Sequence, residues 1–360
     1  MPRELLFVSA GFDLDGGGRA LAGRLLAAAC ADFARSRGLA FSALALGAGG
    51  GPPGTLYFGS DRRSLAFAAW RRQWRRARER ETAACVFDLL GPARLQSWLP
   101  AGRRAPYLIP LYGIEVWSPL SASRRRALAA AAVRFAISHY TVRRALPVAP
   151  FLEGTPVVPL ALEERQPEGA VDAGLLRRLG QGYLLIVGRM AASERYKGHD
   201  QILEALPHLP DVRLVVAGDG DDRPRLAARA ADLGLASRVA FTGFVSEATL
   251  IELYRRAAVF VMPSLGEGFG LVYLEAMRAG KPCVAARGSA AEEVVVAGET
   301  GLLVRQEDGG ELVAALQRLL ASPEAARRMG EAGRRRWREE FNTDRFRARI
   351  EPLLERLTAI

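Results

Sequence analysis

Short apolar runs rich in β-branched residues alternate with amphipathic segments in the second half of the chain. The apolar runs predict strands at 183–187, 212–217, 239–243, 258–262, 282–286 and 301–304. The segments between them predict helices, among them 199–206, 223–234, 247–257 and 271–280. Strands that are apolar on both faces and alternate with helices indicate a parallel sheet covered on both sides.

The first half repeats this alternation with a weaker pattern. Its expected strands lie at 4–10, 40–46, 84–90, 106–113 and 134–139. A glycine loop leads into an expected helix at 19–38, and a stretch broken by proline and glycine, 147–172, predicts a linker. We therefore expect two doubly wound α/β domains, 1–165 and 166–342, with a ligand between the carboxyl ends of their strands.

The net charge of +11 lies entirely in the first half of the chain. Residues 1–165 contain 23 basic and 12 acidic residues, whereas residues 166–360 contain 27 of each. This asymmetry is expected of two domains with different partners. Only two of the 50 basic residues are lysines, Lys197 and Lys281, which hints at sites that need a compact ammonium group.

The use of cysteine and histidine argues against a disulfide framework and a metal centre. Cys30, Cys85 and Cys283 lie in apolar surroundings without paired spacing, which is typical of reduced, buried thiols in a cytoplasmic protein. The three histidines are too scattered to predict a metal cluster. The sequence has no apolar run of about 18 residues, and its start does not read as a signal peptide.

Two glutamates interrupt the apolar stretch that follows the strand at 258–262. Glu267 stands in a loop with Gly266, Gly268 and Gly270, and Glu275 stands eight positions later, in the next helix. Glycines let the backbone approach a ligand closely, and a helix start offers N–H groups to an anion. Carboxylates accept hydrogen bonds from hydroxyl groups. A nucleotide sugar, which carries both phosphates and hydroxyls, fits both features.

This stretch resembles the E-x7-E motif of the retaining family-4, or group 1, glycosyltransferases. A second segment, "VGRMAASERYKGHDQILEA" at 187–205, is similar to the family's cationic signature, with Arg189 just past a strand and Lys197 eight residues later. Weaker similarities cover nearly the whole chain, at 16–26, 113–117, 136–144, 214–222, 238–247, 282–295 and 298–304. The resemblance implies the GT-B fold, with two Rossmann-like domains across a cleft. It also implies that an amphipathic C-terminal helix, 343–360, packs back on the first domain.

The resemblance assigns roles to the charged residues of both segments. Arg189 and Lys197 would bind the diphosphate of the donor, Glu267 the transferred sugar and Glu275 the ribose. Of these, Arg189, Lys197 and Glu267 are the expected catalytic residues, because charges aimed at a departing nucleoside diphosphate lower the barrier. The other expected donor-binding residues are Gly17, Gly18, Tyr112, Phe244, Gly268, Phe269, Gly270 and Leu271.

Some of these assignments have a structural alternative. Gly17 and Gly18 are also what a turn between a strand and a helix requires. Phe244 is expected near the nucleobase, or else in the hydrophobic core. The sequence "GDGDD" at 218–222 allows a metal site, although a turn after a strand is the favoured interpretation.

The expected enzyme moves a sugar from a nucleoside-diphosphate sugar to an acceptor hydroxyl with retention of anomeric configuration. Glycan, polysaccharide or glycolipid biosynthesis is the expected setting. Because side-chain cations are available for the diphosphate, neither a metal nor another cofactor is expected.

The chain departs from the family at Tyr112, in "PLYGIEVW" at 110–117, where members usually carry a histidine before the glycine. Tyrosine keeps a hydroxyl but has no group that changes protonation near pH 7. The protein is then either an enzyme with an altered donor sugar or rate, or a nucleotide-sugar-binding protein with impaired catalysis. His139 does not stand at the corresponding position and is expected to be structural.

The segment 62–80 combines aromatic and basic residues. Phe67, Trp70, Trp74 and Ala77 fall on one stripe of a helix, with eight arginines around them. Such a helix can lie on an anionic membrane surface at the inner face of the membrane, or its tryptophans can pack into the first domain. In the family the first domain receives the acceptor, so a basic surface suits a lipid-linked or anionic acceptor. Nucleic acid is not an expected partner, since no binding motif accompanies the charge.

Overall fold

The computed structural model describes residues 4–12, 17–78, 83–100, 104–164 and 169–359. The chain divides into two compact units, which we call unit 1 (Met1–Ala161 with Thr343–Ile360) and unit 2 (Leu162–Asn342). The boundary expected after residue 165 lies outside the described residues, and the structure divides the chain earlier, after Ala161.

Each unit contains one sheet. The strands are β1 (Glu4–Ser9), β2 (Ala40–Ala45), β3 (Leu56–Tyr57), β4 (Ala83–Phe87), β5 (Tyr107–Leu111), β6 (Val133–Ala136), β7 (Leu184–Val187), β8 (Leu214–Ala217), β9 (Val239–Gly243), β10 (Val259–Met262), β11 (Cys283–Ala286) and β12 (Gly301–Val304).

Helices connect the strands and cover the sheets. They are α1 (Gly17–Ser36), α2 (Arg62–Arg78), α3 (Leu90–Ala93), α4 (Ile114–Trp117), α5 (Ala122–Ala129), α6 (His139–Ala145), α7 (Ala173–Leu179), α8 (His199–Ala205), α9 (Arg223–Asp232), α10 (Glu247–Arg256), α11 (Leu271–Arg278), α12 (Gly309–Ala321), α13 (Pro323–Glu340) and α14 (Thr343–Thr358). Short 3-10 turns occur at Arg94–Trp98, Pro150–Leu152, Ala192–Lys197, Leu206–His208 and Ala290–Glu293.

In the described part of unit 1, the sheet has six parallel strands in the order β3-β2-β1-β4-β5-β6. The edge strand β3, of only two residues, was not predicted, because so short a segment carries no periodic signal. Helix α14 buries Phe346, Ile350, Leu354 and Leu357 at helical spacing, and Arg347 pairs with Asp32 of α1 at 2.8 Å. An amphipathic helix that comes after unit 2 in the chain therefore completes unit 1.

In the described part of unit 2, the sheet also has six parallel strands, in the order β12-β11-β10-β7-β8-β9. All of its strands were predicted from apolar runs. The four inner strands, β7, β8, β10 and β11, are buried as a sheet covered on both faces requires, whereas the edge strands β9 and β12 are only partly buried. The strand order reverses between β7 and β10. The helices that follow these two central strands therefore lie on opposite faces, the arrangement that in such sheets forms a ligand crevice at the carboxyl ends of the strands.

The prediction of a linker over the whole of 147–172 is wrong. The Val158 N–H donates to Ala136 O at 2.8 Å, and Val157 forms a parallel bridge with Ala136, so the stretch extends the sheet of unit 1. Leu160 and Ala161 are buried. Proline and glycine here mark an irregular but packed segment, and unit 2 begins at Leu162.

Helix α2 has a core side and an aromatic side. Phe67 is 58% exposed, and Trp70 and Trp74 are half-buried rather than in the core. The three rings stack in series, with centroids 5.9 Å apart for Phe67–Trp70 and 5.3 Å for Trp70–Trp74. The core side consists instead of Leu65, Ala66, Ala69 and Gln73. We call Phe67, Trp70 and Trp74 the aromatic stripe; residues 79–80 of the predicted segment lie outside the described residues.

The three cysteines are buried and free, as expected from their apolar surroundings. Burial raises the pKa of each thiol, so none is prepared to act as a nucleophile at neutral pH. Among the described helices, none is both long enough and apolar enough to cross a membrane.

His199 is buried at the start of α8 with one ring nitrogen unsatisfied. It is 5% exposed, and its Nε2 atom has no hydrogen-bond partner among the described residues. Burial, with a smaller contribution from the charge of Lys197, lowers the pKa of His199 from 6.5 to about 4. The ring lies in an apolar pocket formed by Ile186, Leu203, Leu214, Val216, Leu226 and Phe241.

His199→Leu should make the protein less sensitive to acid. The unfolded chain binds a proton at His199 below about pH 6.5, whereas the folded chain does so only near pH 4. Acid therefore favours unfolding over this range, by up to about 3 kcal/mol. In urea titrations the free energy of unfolding should fall less from about pH 7 to 4 in the variant than in the wild type. His208→Leu changes an exposed histidine and should show the same pH dependence of the unfolding free energy as the wild type. If His199→Leu also shows the wild-type pH dependence, burial of a neutral His199 does not contribute to acid sensitivity.

Candidate functional site

Two loops meet at the carboxyl ends of β7 and β10 in unit 2. Strand β7 ends at Val187 and leads to Arg189 and the 3-10 turn Ala192–Lys197. Strand β10 ends at Met262 and leads to the glycine loop that carries Glu267. Because β7 and β10 are neighbours at the point where the strand order reverses, residues far apart in sequence come together there.

Two glycines allow these loops to touch. A Cβ atom at Gly266 would lie 2.4 Å from the ring of Tyr196, and one at Gly198 would lie 2.6 Å from the ring of Pro263. Gly198 also has φ 89°, in the left-handed region. Any other residue type at either position would therefore displace the facing ring.

Gln306 ties the two loops together. Its Nε2 donates to Tyr196 O at 2.7 Å and to Pro263 O at 2.6 Å. In addition, the Leu265 N–H donates to Tyr196 O at 3.3 Å. These hydrogen bonds therefore fix the turn that carries Lys197 relative to the loop that carries Glu267.

Lys197 lies between two carboxylates. Its Nζ donates to Glu267 Oε1 at 3.0 Å and lies 3.5 Å from Glu194 Oε2. The Lys197 side chain is 14% exposed and that of Glu267 21% exposed. A nearly buried ammonium needs such partners, because an uncompensated charge in this position is strongly destabilising.

Glu194 links Lys197 to Arg189. The Arg189 Nη2 atom hydrogen-bonds to Glu194 Oε1, while the Arg189 side chain as a whole stays 66% exposed. The guanidinium therefore has further N–H groups directed to solvent. The structure thus brings the three predicted catalytic residues, Arg189, Lys197 and Glu267, into one ion-pair network.

Glu275 does not join this network. It lies in α11, where its Oε2 accepts from the Tyr254 hydroxyl at 2.7 Å. Burial raises the pKa of the Glu275 carboxyl, and the hydrogen bond from Tyr254 partly offsets this. Its other oxygen accepts no hydrogen bond that the structure records among the described residues.

The glycine loop ends where α11 begins. Gly270, with φ 92°, is the N-cap residue of α11, and Leu271 is its first residue. The side chain of Phe269 is buried against Phe341, so only its backbone can face a ligand. The backbone of the predicted donor-binding residues in this loop thus lies at the N-terminus of α11, where N–H groups can bind an anion. These residues are Gly268, Phe269, Gly270 and Leu271.

Phe244 projects from the end of β9 and is 77% exposed. The alternative that it belongs to the hydrophobic core is therefore wrong. A large exposed aromatic ring on this side of the sheet offers a surface on which a planar group can stack.

Unit 1 holds the remaining predicted residues. Gly17 has φ 59° and begins α1 with Gly18, both exposed, while Gly16 lies outside the described residues. Tyr112 follows β5 directly, and Glu115 Oε1 accepts from the N–H groups of Tyr112 and Gly113 at 2.5 and 3.2 Å. Unit 1 therefore presents these residues at the carboxyl edge of its own sheet.

Asp88, which the sequence analysis did not select, lies where the strand order of unit 1 reverses. It follows β4 and accepts from the Ser9 hydroxyl at 2.5 Å and from the Ala10 N–H at 3.0 Å, both at the end of β1. Burial raises its pKa to about 6, against the effect of these hydrogen bonds. Burial, together with the charges of Asp88 and Glu115, also raises the pKa of Tyr112, so its hydroxyl remains a hydrogen-bond donor.

Each of the three aspartates in "GDGDD" (218–222) pairs with or accepts a hydrogen bond from another group of the protein. Asp219 pairs with Arg223 at 3.0 Å, Asp221 accepts from the Ala192 N–H at 2.8 Å, and Asp222 pairs with Arg195 and Arg225. These contacts support a structural turn after β8. Across the described ranges, no group of three or more potential ligands could hold a metal ion.

Besides Asp88 in unit 1, sequence reasoning missed four residues around the site of unit 2: Glu194, Tyr196, Tyr254 and Gln306. Glu194 stands three positions before Lys197, a spacing that could have indicated an ion pair on one turn. Gln306 gives no local signal, because it is 110 residues from the turn to which it donates.

The family model described as "Glycosyl transferases group 1" matches residues 172–336. The GDP-mannose-dependent alpha-(1-6)-phosphatidylinositol monomannoside mannosyltransferase of Mycolicibacterium smegmatis is 34% identical over 270 residues, which are 70% of this chain and 69% of that protein. Glycogen synthase of Mycobacterium tuberculosis is 36% identical over 169 residues, which are 46% of this chain and 40% of that protein.

Solved structures resemble the chain over its whole length. Sucrose-phosphate synthase from Thermosynechococcus elongatus has a TM-score of 0.79 at 22% identity, covering 99% of this chain and 100% of that one. Anabaena Alr3699/HepE in complex with UDP and glucose has a TM-score of 0.77 at 18% identity, with the same coverage. Identities this low show the fold alone, and that fold is GT-B. With the family model and the sequence relatives, they lead to one conclusion: the chain belongs to the group 1 glycosyl transferases.

Proposed function

We propose that this glycosyltransferase moves a sugar from a nucleoside-diphosphate sugar to an acceptor hydroxyl, with retention of anomeric configuration and without a metal ion or other cofactor. Its setting is glycan, polysaccharide or glycolipid biosynthesis. The observation that carries the proposal is the network of Arg189, Lys197 and Glu267 at the carboxyl ends of β7 and β10. Two cations and a hydroxyl-binding carboxylate at such a crevice suit a sugar diphosphate.

The chemistry requires charge at the leaving group. When the bond between sugar and phosphate breaks, negative charge grows on the diphosphate beside an oxocarbenium-like sugar. Arg189 contributes exposed N–H groups and Lys197 a point charge, and both are held in place before the reaction. Glu267 accepts hydrogen bonds from hydroxyls of the transferred sugar.

The rest of the donor is bound around α11. Glu275 accepts from the ribose hydroxyls, and the exposed ring of Phe244 lies against the base. The backbone at Gly268–Leu271 serves the phosphate and sugar at the helix N-terminus. In unit 1, Gly17, Gly18 and Tyr112 are the residues to which the family resemblance assigns contacts with the donor.

The base of the donor has to be determined by measurement, because similar proteins are described with donors that carry different bases. The mycobacterial mannosyltransferase is GDP-mannose-dependent, and Alr3699/HepE is described with UDP-glucose. We expect GDP or UDP to bind best in a panel that also includes ADP and TDP.

Lys197→Ala should weaken binding of the preferred nucleoside diphosphate at least about tenfold, since a hydrogen bond to a charged group contributes about 1.5–3 kcal/mol. Glu275→Ala should weaken the binding of nucleoside monophosphates as well as that of diphosphates, because the proposed partner of Glu275 is the ribose, which both ligands contain. Isothermal titration calorimetry measures both. Lys281→Ala, which removes the only other lysine, should bind like the wild type.

A second candidate function is nucleotide-sugar binding with impaired catalysis, and Tyr112 is the observation that favours it. Tyrosine stands where the family resemblance leads one to expect histidine. Its hydroxyl stays protonated, because burial and neighbouring carboxylates raise its pKa. We favour transfer, because a protonated phenol both donates and accepts hydrogen bonds and can hold a sugar hydroxyl in place.

Tyr112→His should introduce a new pH dependence into release of nucleoside diphosphate from the donor sugar. The imidazole would titrate near about pH 6.5, whereas the Tyr112 hydroxyl does not ionise at these pH values. Tyr112→Phe should lower the rate without changing the profile. Identical profiles for wild type and Tyr112→His would show that residue 112 does not contact the reacting sugar. Turnover in Tyr112→His but not in the wild type would establish the binding-protein function instead.

We further propose that the acceptor is lipid-linked or anionic and that unit 1 meets it at the inner, cytoplasmic face of a membrane. The aromatic stripe of α2 is exposed or half-buried, and Arg63, Arg71 and Arg75 beside it are exposed. Aromatic rings and arginines on one helix suit the headgroup region of an anionic bilayer. The relative named for phosphatidylinositol monomannoside supports a lipid acceptor.

Binding to vesicles should depend on both charge and rings. The protein should sediment with vesicles that contain phosphatidylglycerol and not with pure phosphatidylcholine, and added salt should weaken this binding. Phe67→Ser and the double variant Arg71→Glu/Arg75→Glu should each reduce it, the latter at least about tenfold. Arg124→Glu/Arg126→Glu makes the same charge change at exposed positions of α5. An equal loss in that control would show a general charge effect rather than a docking surface.

A further inference from the structure

Glu194 is a buried carboxylate to which the family resemblance assigns no role. Its side chain is 10% exposed and contacts both site cations, through Oε1 to Arg189 and through Oε2, 3.5 Å from Lys197 Nζ. Within the described ranges, Oε2 makes no hydrogen bond of good geometry. One acid therefore lies between the two cations to which the proposed function assigns the diphosphate.

The charges of the network are balanced without any ligand. Arg189 and Lys197 face Glu194 and Glu267, so the positive and negative charges are equal in number. A diphosphate would bind the same guanidinium and ammonium groups that Glu194 contacts. Carboxylate and phosphate charges that share these groups repel each other, and most strongly where water is largely excluded.

Glu194 has little freedom to move away when a ligand arrives. It stands inside the 3-10 turn Ala192–Lys197, where its φ of −119° and ψ of 26° interrupt the helical geometry. The Ala192 N–H donates to Asp221 at 2.8 Å, and Arg195 pairs with Asp222 at 2.9 Å. With Gln306 holding Tyr196, the turn is anchored on both sides of Glu194.

We propose that Glu194 is the internal counterion of the diphosphate site, a positioning residue that holds Arg189 and Lys197 in the free protein and weakens the binding of nucleoside diphosphate. The inference rests on the proposed function, because it requires these cations to bind the diphosphate. Glu194 would favour release of the nucleoside diphosphate, the most highly charged product, because its carboxylate again pairs with Arg189 and Lys197 as the diphosphate leaves.

Glu194→Gln should therefore bind UDP or GDP more tightly, with a Kd lowered at least tenfold in calorimetric titrations. Glu194→Asp keeps the charge and should bind nearly as the wild type does. Asp200→Asn removes a nearby, partly buried carboxylate that pairs with Arg225 and Arg229, outside both the network and the contacts that anchor the turn. This matched control should leave the Kd unchanged. A residue that merely supported the fold would give the opposite result, weaker binding.

Each outcome decides between distinct conclusions. If the wild type binds none of UDP, GDP, ADP and TDP, the proposed function fails and this inference fails with it. If the wild type binds but Glu194→Gln binds equally or more weakly, only the role of Glu194 is overturned. Equal tightening by Asp200→Asn would also overturn it, by showing a general effect of removing negative charge nearby. Where thermal unfolding shows that Glu194→Gln does not fold, Glu194→Met removes the charge at similar length and repeats the test.

Discussion

The contact between the backbone of Gly266 and the ring of Tyr196 fixes where the charged side chains of unit 2 meet. It allows the turn after β7 to lie directly on the loop after β10, and Gln306 then fastens the two. A side chain at position 266 would have to displace the ring of Tyr196, the neighbour of Lys197, and so disturb the pairing of Lys197 with Glu267. Loss of that pairing would leave a nearly buried ammonium without its principal partner. Such a loss costs about 3–5 kcal/mol when the charge stays buried. Close packing of neutral backbone is thus the condition for the ion-pair network.

Both sheets place carboxylates at the point where their strand order reverses, yet with different electrostatics. In unit 2, Glu267 faces the ammonium of Lys197, and charges of both signs alternate through the network. In unit 1, Asp88 is held by the hydroxyl of Ser9 and the N–H of Ala10, and burial moves its pKa to about 6. The same topology therefore gives one unit a balanced ionic site and the other a weakly acidic group that changes charge within the physiological range.

The sequence predicted the strands of unit 2 well, because each is a short apolar run between glycine-rich or polar segments. The family resemblance singled out Arg189, Lys197 and Glu267, which the structure brings into one network, and Glu275, which lies outside it. Sequence reasoning did not find Gln306 or Tyr254, whose partners lie on other elements, and it mistook the packed segment before Leu162 for a linker. Local sequence patterns predict the strands and helices and the residues at their ends. They do not predict contacts between residues that are distant in sequence and meet only in the folded sheet.

The return of α14 to unit 1 has a consequence for how the chain folds during its synthesis. Unit 2 is one continuous segment, whereas unit 1 needs a helix that comes after unit 2. Until that helix is made, the surfaces of unit 1 that receive Phe346, Ile350, Leu354 and Leu357 stay open to water. The half of the protein that is translated first is therefore completed last, and until then it exposes apolar surface of the kind that favours aggregation and attracts chaperones.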